Sequence, residues 1–376
     1  MSGKRQADAL ARGKRIIVKI GSALLVDSER GTLHRRWLEA LADDLTACRK
    51  RGQEVIVVSS GAIAVGRRHL GLGETALKLE EKQAAAATGM IRLAHAYQET
   101  LAHRGITVAQ VLLTLEDTES RRRYLNARNT LDALLRLGAV PLINENDTVA
   151  TDEIRFGDND RLAARVAVMM SADTLVLLSD IDGFYSADPR RDAGARLIPE
   201  VRAITADIEA MAGAAKPGDG SGGMVTKLAA ARICLGAGCR VVISDGTVLH
   251  PLACIETGAP CTWFVPQASP RTARKRWIAG ALKPAGSIGV DAGALKALRQ
   301  GRSLLPAGVN VIEGDFERGD AVIVKDAQGT EVGRGISAYS ASDARRIMGY
   351  KSGEIESLLG YRGRDEMIHR DDLVLS

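Results

Sequence analysis

The sequence predicts an α/β protein: an open, mainly parallel sheet sandwiched by helices, followed by a small, mostly-β domain. Three observations predict it. Short apolar strands alternate with helical segments up to Pro266, the pattern of βα units. Polar and glycine-bearing motifs recur just after those strands, where ligands collect in such folds. Beyond Pro266 the chain changes to short β-like runs separated by Gly-rich turns.

The elements follow in order. Arg15 to Lys19 (R-I-I-V-K) reads as a buried strand running into Ile20-Gly21-Ser22. A helix comes next, with Trp37, Leu38, Leu41, Leu45 and Cys48 on one face, and Gly52 closes it. Glu54 to Ser59 is a second strand, and Ser60-Gly61 opens another helix. Glu80 to His103 is Ala-rich and helical, Ile106 to Leu113 is strand-like, and Asp117 to Leu137 is helical. Ala139 to Ile143 is a strand leading into a long polar loop. Leu162 to Met170 reads as helix and Thr174 to Leu178 as a strand apolar on both faces, as a parallel sheet requires. Met224 to Gly236 is helical and Arg240 to Ile243 is a further strand. The run Q-A-S-P-R-T-A-R-K-R-W from Gln267 reads as a linker. Ser287 to Val290, Val309 to Glu313, Ala321 to Val324 and Val332 to Ile336 form the second domain. The expected bounds are 14–266, 267–284 (linker) and 285–365, with the first dozen residues a loose tail.

Composition narrows the function. The chain has 376 residues, 45% hydrophobic and 26% charged, enough for two or three domains with their own cores. The net charge is +5. From residue 271 onward 17 Lys/Arg face 14 Asp/Glu, only a slight local excess. Aromatics are 3%, too few for a surface that stacks many bases. The five cysteines are odd in number and lack C-x-x-C spacing, so neither a disulfide framework nor a zinc site is expected, and a reducing, cytoplasmic setting fits. The basic N-terminus has no apolar h-region, and no apolar run reaches the ~20 residues of a membrane span. The six histidines are scattered, and no Ser–His–Asp or Cys–His arrangement can be argued.

Five sites carry candidate chemistry. In Val18-Lys19-Ile20-Gly21-Ser22, glycine lets the backbone approach a phosphate and lysine can neutralise it, although a lysine snorkelling beside a turn reads the same. Ser59-Ser60-Gly61-Ala62 offers N–H groups at a helix start, or a plain N-cap. Asn144-Glu145-Asn146-Asp147, with Gly157-Asp158-Asn159-Asp160 further on, could hold an amino acid: carboxylates for its ammonium, amides for its carboxylate. A solvated Asx-rich turn is the plainer reading. Ser179-Asp180 closes an apolar strand ahead of Gly183-Phe184-Tyr185 and Asp188-Pro189-Arg190. Ser221-Gly222-Gly223-Met224-Val225-Thr226-Lys227 is a glycine turn entering a helix, suited to a polyphosphate or simply flexible.

Taken together and in order, V-K-I-G-S, V-S-S-G-A-I-A-V-G, L-I-N-E-N-D-T-V-A-T, F-G-D-N-D, L-L-S-D-I-D-G-F-Y-S-A-D-P-R and S-G-G-M-V-T-K resemble the amino acid kinase superfamily, and within it the glutamate 5-kinase family. The I-N-E-N-D and G-D-N-D pair is the specific part. The tail, with G-R-S-L-L-P from Gly301, resembles the small RNA-binding PUA module. The resemblance runs from about Lys14 to Asp372 and implies the amino acid kinase fold.

That resemblance implies ATP-dependent phosphorylation of the side-chain carboxylate of glutamate, the first step of proline biosynthesis. Lys19 and Lys227 would flank the phosphoryl group and Asp160 would hold both. Ser60, Gly61, Asp147 and Asn159 would bind glutamate. Lys19, Ser179, Asp180 and the run Ser221, Gly222, Gly223, Met224, Val225, Thr226 and Lys227 would bind ATP, with Mg2+ carried on its phosphates and no dedicated metal ligand. It also implies proline as a feedback inhibitor, a homo-oligomer, a glutamate 5-phosphate reductase partner and RNA as a ligand of the PUA-like tail. Two departures stand out: Gly89-Met90 where the family pattern has Gly-Gln, and Lys216-Pro217-Gly218-Asp219 ahead of the nucleotide loop. The competing readings are a sister kinase acting on aspartate, N-acetylglutamate, carbamate or a nucleoside monophosphate, and an RNA-binding regulator working through its tail.

Overall fold

The computed structural model describes residues 8, 10–27, 32–73, 75–149, 159–213, 223–270, 272–273 and 284–375. They divide into two compact units, Met1–Pro270 and Arg271–Ser376.

The first unit is built on an eight-stranded sheet. Its strands are β1 (Arg15–Ile20), β2 (Glu54–Ser59), β3 (Val108–Leu113), β4 (Val140–Glu145), β5 (Thr174–Ser179), β6 (Glu200–Val201), β7 (Arg240–Asp245) and β8 (Cys261–Phe264). The order is β3-β4-β2-β1-β5-β7-β8-β6. The first six in this order pair in parallel, whereas β8 runs antiparallel to β7. The chain therefore leaves β1 toward β2 on one side and later crosses to β5 on the other. That reversal opens a crevice at the carboxyl end of β1.

Both faces of the sheet are covered, which is why its central strands are apolar throughout. Ile16, Val18 and Ile20 face one core with Trp37, Leu38, Leu41 and Leu45. Ile17 faces the other core, with Leu162, Val166, Leu175, Leu177 and Leu228. Helix α1 (Ser22–Leu25) follows β1, and α2 (Arg35–Lys50) carries the predicted apolar face. Helices α3 (Ala62–His69) and α4 (Leu79–Ala102) meet through glycines: a Cβ on Gly66 would lie 1.7 Å from the Ala85 carbonyl oxygen, and one on Gly89 1.8 Å from that of Ala62. Met90 packs into this core beside Leu93 and Tyr97, so the expected amide position is an apolar one here.

Several expectations need correction. The N-terminal tail is not loose throughout: Leu10 is buried and its carbonyl accepts a hydrogen bond from Gln53 Nε2 (2.9 Å). The helix expected over 117–137 is two, α5 (Leu115–Glu119) and α6 (Arg121–Arg136), because Thr114 and Asp117 form a capping box and the chain turns at Ser120. Asn144 and Glu145 belong to β4 rather than to the loop after it. Helix α7 (Asn159–Met169) begins three residues earlier than its apolar periodicity suggests, which places Asn159 and Asp160 in its first turn. Short elements without a long apolar run went unread: β6, β8, α8 (Ala206–Met211) and α10 (Pro251–Glu256), the last following α9 (Met224–Gly236) and β7.

The second unit holds a five-stranded sheet of order β10-β9-β11-β12-β13, formed by β9 (Gly286–Val290), β10 (Val309–Gly314), β11 (Ala321–Lys325), β12 (Glu331–Ile336) and β13 (Leu373–Leu375). Its own core includes Ile288, Phe316, Val322, Tyr339, Ile347 and Ile368.

Candidate active site

The crevice at the end of β1 is lined by polar side chains that are nearly all buried. Lys19 lies on β1 level with Val58 and Leu177, so its stem runs along the apolar face under α7 and its ammonium emerges at the strand's end. There Nζ meets Asp160 Oδ1 at 2.7 Å. Lys227 reaches the same carboxylate from α9, with Nζ 3.2 Å from Oδ2. Thr226 Oγ1 also donates to Oδ2 (2.9 Å). Relative exposures are 5% for Lys19, 4% for Lys227 and 1% for Asp160. Burial alone would push the Asp160 carboxyl up, but Lys19 and Lys227 outweigh it and hold it well below the usual carboxylate range. The close fit of α7 against α9 comes from small residues: Ala163, Ala164, Ala167, Ala230 and Ala231 are all fully buried.

On the β2–β4 side, Asn159 acts as a clamp. Its Nδ2 donates to the Ser59 carbonyl (3.0 Å), Ser60 Oγ (2.9 Å) and Asn144 Oδ1 (3.1 Å), which ties the ends of two neighbouring strands to the start of α7. Its Oδ1 is buried and has no partner among the described residues. Asn144 Oδ1 also accepts from the Glu145 N–H (3.0 Å). Asp147 is buried beside Glu145, and burial followed by that neighbouring charge pushes its carboxyl up to about 7. Gly61 turns the chain into α3 with φ of +99°, a conformation that glycine adopts freely, and a Cβ there would meet Val26 and Ser22.

On the other side, Ser179 and Asp180 close β5. The Ser179 carbonyl accepts from the Gly246 N–H (2.7 Å), and Trp37 Nε1 donates to the Gly246 carbonyl (2.6 Å). Gly223 caps α9 in extended conformation, so Met224, Val225 and Thr226 sit in the first turn with Lys227. The fold thus gathers Lys19, Asp160, Lys227 and Thr226 by direct contact, and Asn159 with Ser60. Ser221 and Gly222 lie outside the described residues, as do Gly157, Asp158 and the stretch 216–219.

The amino acid kinase family model matches residues 14–245, most of the first unit. The chain belongs to the amino acid kinase family. The PUA domain model matches residues 286–359. Glutamate 5-kinase of Paramagnetospirillum magneticum is 69% identical over 97% of this chain and 99% of its own length. Glutamate 5-kinase of Rhodospirillum rubrum is 60% identical over 96% of each chain, and that of Ruegeria sp. is 56% identical over 98% of this chain and all of its own.

Sequence reasoning missed the division of labour inside the amides. It expected amides for a substrate carboxylate, yet the Asn159 amide nitrogen is spent on strands and leaves an acceptor open. The Asp188-Pro189 turn likewise fixes where the Arg190 side chain goes, with the Arg190 N–H donating to Asp188 Oδ1.

Proposed function

We propose that this chain transfers the γ-phosphoryl group of ATP to the side-chain carboxylate of L-glutamate, giving L-glutamate 5-phosphate and ADP, the first step of proline biosynthesis. One observation carries the reading: two buried ammonium groups converge on one buried aspartate at the end of β1, where the strand order reverses. The high identity to the curated glutamate 5-kinases over nearly the whole chain supports the choice of acceptor.

The chemistry asks little beyond positioning and charge. A glutamate carboxylate is anionic at neutral pH, so no general base is needed. Its oxygen forms the new bond to the γ-phosphorus as the bond to the bridging β,γ-oxygen breaks, and ADP leaves with the electron pair. Lys19 on β1 and Lys227 on α9 neutralise the equatorial phosphoryl oxygens between the two anions. Asp160 holds both lysines. Asp147 and the open Asn159 Oδ1 accept from the α-ammonium, with Ser60 and Gly61 completing the glutamate side. Ser179, Asp180 and the run Ser221 to Lys227 hold ATP. Both Asp160 oxygens are engaged by lysines, so Mg2+ would sit on the phosphate oxygens and supply further charge neutralisation there. The same reading makes proline an inhibitor at the glutamate site, the kinase units a homo-oligomer in the cytoplasm, a glutamate 5-phosphate reductase the consumer of the labile product, and the PUA-matched unit the place for RNA.

The test is to incubate the protein with L-glutamate, Mg-ATP and hydroxylamine. Glutamate-dependent hydroxamate in step with ADP, lost in Lys227→Ala and suppressed by proline, is expected. Turnover with another acceptor but not glutamate would overturn the reading.

A further inference from the structure

Asp180 stands at the end of β5, at the nucleotide side of the crevice, and neither of its oxygens is left to itself. Oδ1 accepts from Ser179 Oγ (3.1 Å), and Oδ2 accepts from Arg190 Nη2 (2.8 Å), ten residues further along. The loop that brings Arg190 back is braced at its base. A Cβ on Gly183 would lie 2.6 Å from Leu197 Cδ1 and 2.7 Å from Thr262 Oγ1, so the base of the loop is closely packed. The Phe184 N–H donates to Thr262 Oγ1 (2.7 Å), and the Ile198 N–H to the Phe184 carbonyl (2.8 Å). At the tip, Asp188 Oδ1 accepts from the Arg190 N–H (3.0 Å) and Pro189 fixes its own φ, so the guanidinium is sent back toward β5.

This pair adds little to the fold. Its side chains are 66% and 57% exposed, and pairs so exposed are weak contributors to stability. Its consequence lies in charge. A bare carboxylate at that strand end would repel a polyphosphate and would be free to rotate. Burial tends to raise the Asp180 carboxyl, but Arg190 and Ser179 outweigh it and keep it charged and oriented.

We propose that Arg190 is a positioning residue for the nucleotide: it fixes the Asp180 carboxylate for the hydroxyl or amino donors of ATP and cancels its charge toward the phosphates. The inference rests on the reading that Asp180 meets the nucleotide. Asp188 serves it by shaping the turn.

A double-mutant cycle on the full chain, read by hydroxamate formation, separates the two claims. Arg190→Ala is expected to raise KM for ATP about fivefold at low salt while leaving kcat and KM for glutamate unchanged, the size an exposed ion pair can account for. In an Asp180→Asn background the same change is expected to raise KM less than about twofold, since no charge remains to cancel. Arg190→Lys should recover part of the loss, Asp188→Ala should reproduce part of it, and added salt should shrink the coupling. An equal effect in both backgrounds, or none in either, overturns the inference while leaving the nucleotide role of Asp180 standing, provided that Asp180→Ala alone raises KM for ATP. An Asp180→Ala variant with unchanged KM for ATP overturns both.

Discussion

Asp160 lies between Lys19 at 2.7 Å and Lys227 at 3.2 Å, and all three side chains are almost out of contact with water. Removing the carboxylate strands two buried cations. Asp160→Ala is therefore expected to lower stability by about 3–5 kcal/mol, measured by chemical denaturation, besides abolishing turnover. On the proposed mechanism Lys227→Ala removes one of the two cations beside the phosphoryl group and should lower kcat at least a hundredfold with a smaller change in KM, checked by initial rates. The two buried aspartates respond to pH with opposite signs. Asp160 is held low, so its stabilisation is present above about pH 4, the unfolded carboxylate range, and is lost only as acid titrates the folded group. Asp147 is pushed up to about 7, so it weakens the fold as pH rises from about 4 to that value, a range in which the unfolded carboxyl is ionised and the buried one still holds its proton. In the proposed glutamate site its charged form is the one that would bind the ammonium. Hence kcat/KM for glutamate should fall as pH drops below about 7 while kcat changes less, and Asp147→Asn should flatten that limb as well as weaken binding. A profile unchanged by that substitution would remove Asp147 from the glutamate site.

At the scale of elements, the site depends on where strands end and helices begin. Gly61 adopts a left-handed φ between β2 and α3, and a Cβ there would also press to 3.1 Å from Val26 Cγ2. Gly61→Ala should cost about 1–2 kcal/mol and raise KM for glutamate by tilting Ser60. Deeper in the α3–α4 pair, Gly66→Ala would drive its methyl into the Ala85 carbonyl. Backbone cannot give way as a side chain can, so a loss of about 3 kcal/mol is expected in thermal or denaturant unfolding. A fully stable Gly66→Ala variant would show that the helices do not pack as closely as described.

At the scale of the molecule, each unit has its own core, and Lys19, Asp160, Lys227, Asn159 and Ser60 all belong to the first. A chain ending at Pro270 is therefore expected to fold and to keep kcat and both KM values within about threefold of the full chain. Loss of turnover in a folded truncated chain would show that the second unit takes part in catalysis.

Periodicity and composition by themselves determined the alternation of strands and helices, the parallel sheet and the change of character after Pro266. Apolar patterns are local, and a strand buried on both faces cannot hide them. The motifs likewise named the polar residues at the strand ends. What the sequence could not determine was partnership. Asn159 and Asp160 lie outside the apolar run of α7, so pattern reading began that helix at Leu162. Only the packing of α7 against β1 and α9 puts Asp160 between lysines 141 and 67 residues away in the chain, and Asn159 across the ends of β2 and β4. The short strands β6 and β8 show the same limit, since they are held by β7 and by each other rather than by their own sequences. Burial, and with it the opposed titration of Asp147 and Asp160, is a property of the folded neighbourhood and exists only once the sheet has brought those neighbours together.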